Sequence, residues 1–204
     1  MFSGIVQGTA IITSVVQRED ILTIEVDLGG KLVQELAIGA SVAVDGVCLT
    51  AVNIDGGQVK FDLIEETVKC STIGPERLNT AVNIERSLKF GDEIGGHVVS
   101  GHVSGCATVK EVENGENGRT LLLSCHEDEI GYLMNKGFVA LDGISLTVGE
   151  VNRDDSTFDV HLIPETLAVT TIAYKDVGDQ LNLELDATTV AAVEAAKQML
   201  ADRG

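Results

Sequence analysis

The sequence predicts an all-β protein: two tandem homologous six-stranded antiparallel β-barrels followed by a C-terminal α-helix. Three observations predict it. The run Val42-Ala43-Val44-Asp45-Gly46-Val47-Cys48-Leu49-Thr50 returns 97 residues later as Val139-Ala140-Leu141-Asp142-Gly143-Ile144-Ser145-Leu146-Thr147, with six of nine positions identical. Only one copy follows the first, so the chain is a duplication and not a solenoid. With 22 Gly against 2 Pro, and many Val, Ile and Thr, the composition favours strands joined by tight turns. The last stretch, 188–202, leaves the repeat and takes up a helical period.

Each element follows from local pattern. Residues 5–14, 21–27, 41–44, 49–54, 58–63 and 82–86 are rich in β-branched residues and bounded by turns such as Asp45-Gly46 and Asp55-Gly56-Gly57. Six strands in so short a span close into a small barrel, which removes exposed sheet edges. Short helices are expected at 31–36 and 127–134. The 97-residue offset also aligns 3–10 with 100–107 and Phe61-Asp62 with Phe158-Asp159. An offset of 99 then pairs 64–67 with 163–166 and 82–85 with 181–184.

The boundary falls in the Gly-rich stretch 90–97, where neither period persists. This divides the chain into a first barrel over 1–90, a linker over 91–97, a second barrel over 98–187 and a terminal helix over 188–204. In that helix Val190, Val193, Lys197 and Leu200 share one stripe, with Ala192, Ala196 and Met199 on an adjacent face. A lone helix on a β chain has no helical partner within the chain, so a contact between subunits is expected beside packing on its own barrel.

Composition narrows the function. Fourteen Lys+Arg against 32 Asp+Glu give a net charge of −18, which repels nucleic acid and anionic membranes alike. The apolar share of 44% with 23% charged residues is that of an ordered globular chain. No leader-like start and no membrane-length apolar run is present, so a soluble, cytoplasmic protein is expected. Cys48, Cys70, Cys106 and Cys125 match neither zinc spacing nor a disulfide framework, which points to reduced thiols. His97 and His102 lack a third ligand at a usual metal spacing. With no phosphate loop and no dinucleotide fingerprint, neither a metal nor a cofactor is expected.

Five segments, in order and tied to the repeat, carry a resemblance. They are 1–6 (Met-Phe-Ser-Gly-Ile-Val), 46–50 (Gly-Val-Cys-Leu-Thr), 93–102 (Glu-Ile-Gly-Gly-His-Val-Val-Ser-Gly-His), 142–149 (Asp-Gly-Ile-Ser-Leu-Thr-Val-Gly) and 161–166 (His-Leu-Ile-Pro-Glu-Thr). Across essentially its whole length the chain resembles the riboflavin synthase family, lumazine-binding proteins that make riboflavin from two molecules of 6,7-dimethyl-8-ribityllumazine. The resemblance implies a homotrimer associated through its terminal helices, with sites between the first barrel of one chain and the second barrel of its neighbour. It extends to an association with lumazine synthase. Ser3 stands where the family commonly has Thr, and Asp45 where it commonly has Asn; the latter adds a charge to a turn.

The reaction so implied needs two like rings held in register, and a duplicated fold provides two like cradles. Backbone at Gly4, Ile5 and Val6 and at Gly101, His102 and Val103 is implied to meet the ring edges, with the Thr50 and Thr147 hydroxyls. Ser41, Leu49 and Leu146 flank these positions. For the ribityl chain the family pattern points to Asp62, Leu63, Ile64, Glu65, Glu66 and Thr67 in the first copy. In the second it points to His161, Leu162, Ile163, Pro164, Glu165 and Thr166, with Lys136 nearby.

His102, Cys48, Ser145, Thr147 and Asp186 are the candidates for chemistry. His102 is a base by type, although a strand histidine bonded to backbone is an equal reading. Cys48 is either a nucleophile or an inert thiol. Ser145 and Thr147 suit the positioning of water or hydroxide, and Asp186 is either a site acid or a helix N-terminal acid. His97 is expected to order the linker and His126 to be a surface residue. Lumazine and flavin proteins of luminous bacteria share this family's fold without turnover; they need one working cradle, whereas here both copies keep their motifs, which favours the enzyme.

Overall fold

The structure is a computed structural model that describes residues 1–202. Strands β1 (Gly8–Arg18), β2 (Ile21–Asp27), β3 (Ser41–Val44), β4 (Val47–Asp55), β5 (Gln58–Ile64) and β6 (Ala81–Arg86) close into a barrel in the order β1-β2-β5-β4-β3-β6. Strands β7 (Gly105–Gly115), β8 (Gly118–Ser124), β9 (Phe138–Leu141), β10 (Ile144–Asn152), β11 (Thr157–Leu162) and β12 (Gln180–Leu185) close in the corresponding order. Short helices α1 (Gly29–Leu32), α2 (Glu65–Cys70), α3 (Glu127–Ile130) and α4 (Pro164–Val169) decorate the barrels, and α5 (Ala187–Ala201) follows the second. The helices expected at 31–36 and 127–134 are single turns, placed at Gly29–Leu32 and Glu127–Ile130. No helix among the described residues is long and apolar enough to cross a membrane.

Alternation along each strand sends one face inward. Ile12, Leu22, Ile24, Leu49, Phe61, Leu63 and Ile84 fill the first barrel, and Val109, Leu121, Leu123, Val148, Phe158, Val160 and Leu183 the second. Each core is aliphatic around a single fully buried phenylalanine, and removing such a ring costs about 3–5 kcal/mol.

Register corrects one part of the sequence alignment. Ala51 pairs with Phe61 and Ile54 with Val59 in the first barrel, whereas Val148 pairs with Val160 and Val151 with Phe158 in the second. The two extra residues therefore lie in the β10–β11 turn, before β11. Thr23 pairs with Asp62, and Thr120 with His161. The spatial counterpart of Asp62 is His161, not Asp159.

The first strand begins at Gly8 and not at residue 5 because the opening residues cross to the other barrel. Phe2 and Val99 exchange backbone hydrogen bonds of 2.7 and 3.0 Å. Together with Ala43 and Ala140 they form an apolar plug between the barrels. Val6, at the end of the first arm, packs on the second core, and Val103 packs on the first.

Polar groups lock the seam with the same pseudo-twofold relation. Asp45 and Asp142, both fully buried, accept from the backbone N–H of Asn83 (2.6 Å) and Asn182 (2.7 Å). The Asn83 amide donates across the seam to the Asp142 carbonyl, and the Asn182 amide to the Asp45 carbonyl. Arg77 pairs with Asp45 and Lys175 with Asp142, so each buried carboxylate has a cation, as burial demands. Gly46 and Gly143 abut at the centre. A Cβ on Gly46 would stand 2.5 Å from the Gly143 nitrogen, and its φ of +79° also favours glycine.

Candidate active site

The first cradle lies on the outer face of β4 and β5. Alternation turns Cys48 and Thr50 outward from the buried Leu49 and Ala51, and Asp62 and Ile64 outward from Phe61 and Leu63. Ser41 pairs with Thr50 across β3 and β4. The Thr23 hydroxyl donates to Asp62 at 2.7 Å and fixes its carboxylate. Glu65, Glu66 and Thr67 open α2 directly after Ile64, so the segment from Asp62 to Thr67 forms one continuous wall.

The second cradle repeats this on β10 and β11. Ser145 and Thr147 face outward beside the buried Leu146, and His161 and Ile163 beside the buried Leu162. His161 is held between Thr120 (2.9 Å) and Asp159 (3.3 Å). Pro164, Glu165 and Thr166 open α4. A cavity of about 330 Å³ opens beside His161, Leu162 and Ile163. Lys136 is exposed at φ +66°, and its backbone N–H donates to Val148. Gly39 occupies the matching left-handed position of the first copy and donates to Ala51.

The arms complete the cradles crosswise. Ser145 N–H of the second barrel donates to the Gly4 carbonyl at 2.8 Å, and Cys48 N–H of the first donates to the Gly101 carbonyl at 2.9 Å. Both glycines have positive φ, and a Cβ on either would stand 2.5 Å from the Cβ of the residue it faces. Ile5 and His102, next along each arm, are exposed. Among the described residues, the bond that His102 donates is from its backbone N–H to the Ser100 hydroxyl.

One relationship was not legible in the sequence. His97, expected to order the linker, is buried against the second cradle, its Nδ1 2.6 Å from Ser145 Oγ and its ring stacked on Phe138 with centroids 5.0 Å apart. Phe138 pairs with Thr147 where Ser41 pairs with Thr50. In a chain of seven aromatics, that exchange of Ser for Phe between the copies was the one available signal. Burial pushes the His97 imidazole below its ordinary value, against the opposing charges of Asp186 and Glu184. The ring is therefore neutral at neutral pH and able to accept a proton.

Burial pushes the Asp186 carboxyl up, but bonds from the Thr189 hydroxyl and from the N–H groups of Thr189 and Thr188 outweigh it and hold it below the usual carboxylate range. It caps α5 and sits within electrostatic reach of His97. The four cysteines are free. Burial raises Cys106 to about 11 and Cys125 to about 12, so these two thiols stay protonated.

Two closed barrels with matched outer faces define a tandem β-barrel protein with one candidate site on each repeat. The lumazine binding domain family matches the chain twice, over residues 3–87 and 100–186. The riboflavin synthase of Escherichia coli (strain K12) is 43% identical over 204 residues, covering all of this chain and 95% of that protein. That of Chlamydia pneumoniae is 42% identical over 204 residues, covering all of this chain and 99% of its own. The chain belongs to the riboflavin synthase family and is a transferase. The crystal structure of LumP complexed with riboflavin shares the fold, with a TM-score of 0.83 at 24% identity over 91% of this chain and all of that one.

Proposed function

We propose that the chain dismutates two molecules of 6,7-dimethyl-8-ribityllumazine, one in each kind of cradle. The four carbons that the donor loses are those that the acceptor gains, giving riboflavin and 5-amino-6-(ribitylamino)uracil. Atoms balance without an external oxidant.

The carrying observation is that like walls surround unlike chemistry. Cys48 stands alone where the second copy has the Ser145–His97 pair at 2.6 Å. Thr50 and Thr147, with backbone at Gly4, Ile5 and Val6 and at Gly101, His102 and Val103, bind the ring edges. Asp62 to Thr67, His161 to Thr166 and Lys136 receive the ribityl chains. Neutral His97 accepts a proton through Ser145 when a ring methyl ionises, with Asp186 stabilising the resulting imidazolium. His102 and Cys48 serve the opposite ring.

Exposure supports a site completed by a neighbour. Ile5, Ile64 and Ile163 are 48%, 58% and 62% exposed in the single chain, an apolar rim left uncovered. Helix α5 buries none of its 15 residues and touches its own barrel through Tyr132, which meets Glu194 and Lys197. A homotrimer packed through α5 covers that stripe. The reading includes a cytoplasmic setting, and an association with lumazine synthase as the source of substrate.

Riboflavin absorbance after mixing the protein with 6,7-dimethyl-8-ribityllumazine tests the reaction. Expected is turnover that Ser145→Ala and Cys48→Ser each lower. Full turnover in both variants overturns the assignment of residues.

A further inference from the structure

Glu85 on β6 and Glu184 on β12 are buried at equivalent places, and neither belongs to a cradle wall. Their bonds are the same in both copies. Glu85 Oε1 accepts from the N–H and hydroxyl of Ser3, both at 2.7 Å, and Oε2 from the Gly4 N–H at 3.1 Å. Glu184 Oε1 accepts from the N–H and hydroxyl of Ser100, both at 2.7 Å, and Oε2 from the Gly101 N–H at 2.9 Å. Each Ser hydroxyl then accepts from the N–H two residues on, Ile5 or His102.

The clamped glycines each touch the opposite barrel. Gly4, held by the first barrel, offers its carbonyl to Ser145 of the second; Gly101, held by the second, offers its carbonyl to Cys48 of the first. Gly96 packs on Ser145 and on the backbone of Ser3, so the first arm borders Ser145 and the residue that precedes His97. Within the strands of its own barrel, Glu85 and Cys48 are linked through Ala43, the residue that pairs with each of them.

We propose that Glu85 and Glu184 are positioning residues that act across the seam, Glu85 setting Ser145 and Glu184 setting Cys48. The route is a chain of hydrogen bonds that starts on a charge: the carboxylate accepts from the Ser hydroxyl, that hydroxyl accepts from the N–H of Ile5 or His102, and the carbonyl of the same peptide, on Gly4 or Gly101, accepts from the opposite backbone. Glutamine keeps the shape but offers one acceptor where two were used, so one peptide N–H then faces an NH₂ group.

Hydrogen-exchange mass spectrometry on the full chain tests this without reference to turnover. Glu85→Gln is expected to speed exchange at the Ser145 amide at least tenfold and to leave Cys48 unchanged; Glu184→Gln is expected to do the reverse. Faster exchange in the barrel that carries the substitution, or equal change at both amides, overturns the proposal. If Glu85→Gln does not fold, Ser3→Ala and Ser100→Ala remove the hydroxyl that bridges each carboxylate to the N–H two residues on, and are read in the same way.

The consequence for turnover rests on the proposed roles of Ser145 and Cys48. Glu85→Gln is expected to lower kcat about tenfold with KM within twofold. Combined with Ser145→Ala it should add no further loss, whereas its effect should multiply with that of Cys48→Ser. Coupling to Cys48 instead overturns the crossed assignment. Full turnover in Ser145→Ala and Cys48→Ser alone overturns their catalytic roles, and positioning is then decided by the exchange rates of the two amides.

Discussion

His97 Nδ1 lies 2.6 Å from Ser145 Oγ, although one residue belongs to the connection between barrels and the other to β10. Burial keeps the imidazole neutral, so the pair is a hydroxyl with a base attached. Ser145→Ala and His97→Gln should each lower kcat on the order of 10²-fold. The double variant should lose little more than either single one, because the two act as a unit. Steady-state rates of riboflavin formation decide it, and independent, multiplying losses would sink the pairing.

Asp45 links stability to pH. Burial, then the Asp142 charge, raises its carboxyl to about 7 against the opposing Arg77, Lys175 and Asn83 N–H. The folded state thus holds this proton more tightly than the unfolded chain does. Its contribution is greatest below about pH 4 and is lost as pH rises toward 7. Between pH 5 and 8 the wild-type melting temperature should fall by several degrees relative to that of Asp45→Asn, which lacks the titration. Parallel profiles for the two proteins would refute the assignment.

Gly101→Ala tests close approach directly. Its φ of +82° and the Cys48 Cβ 2.5 Å from any added methyl together should cost about 2–4 kcal/mol. Gly91→Ala is the control, since its φ of +98° carries strain but nothing lies within 4 Å. Denaturant midpoints should differ clearly between the two; equal loss would mean that backbone strain alone is at work.

Asp186→Ala should remove the cap of α5 at about 1 kcal/mol. Far-UV circular dichroism reports lost helicity, and sedimentation reports whether assembly weakens with it. Because the Asp186 charge opposes the burial of His97, the same variant should also lower the acid limb of the rate profile. An unchanged limb would separate Asp186 from the imidazole.

The barrels were legible because a repeated stretch of sequence implies a repeated shape, and because alternation of Leu49 with Thr50 and Leu146 with Thr147 already states which face is buried. Helix α5 was legible for a similar reason, its period being local. Register was legible only in part. Phe61-Asp62 and Phe158-Asp159 share letters, yet the longer β10–β11 turn absorbs the two extra residues first and makes His161 the counterpart of Asp62. The exchange of arms was hidden altogether. Nothing near Gly4 reveals that its carbonyl pairs with a residue 141 positions away (145 − 4), since such a contact is set by how two finished barrels dock. His97 was underestimated for the same reason.

The traded arms also bear on how such a molecule could come apart or arise. A half-chain that ended after its first barrel would keep its opening residues but lose the surface on which Val6 and Gly4 rest. A second half-chain offers that surface, so the lowest-cost state for the fragment is a reciprocal dimer in which each copy lends the other its N-terminus. Gene fusion of such a pair gives one polypeptide whose two active surfaces can then diverge, one keeping a thiol and the other gaining a hydroxyl with its imidazole.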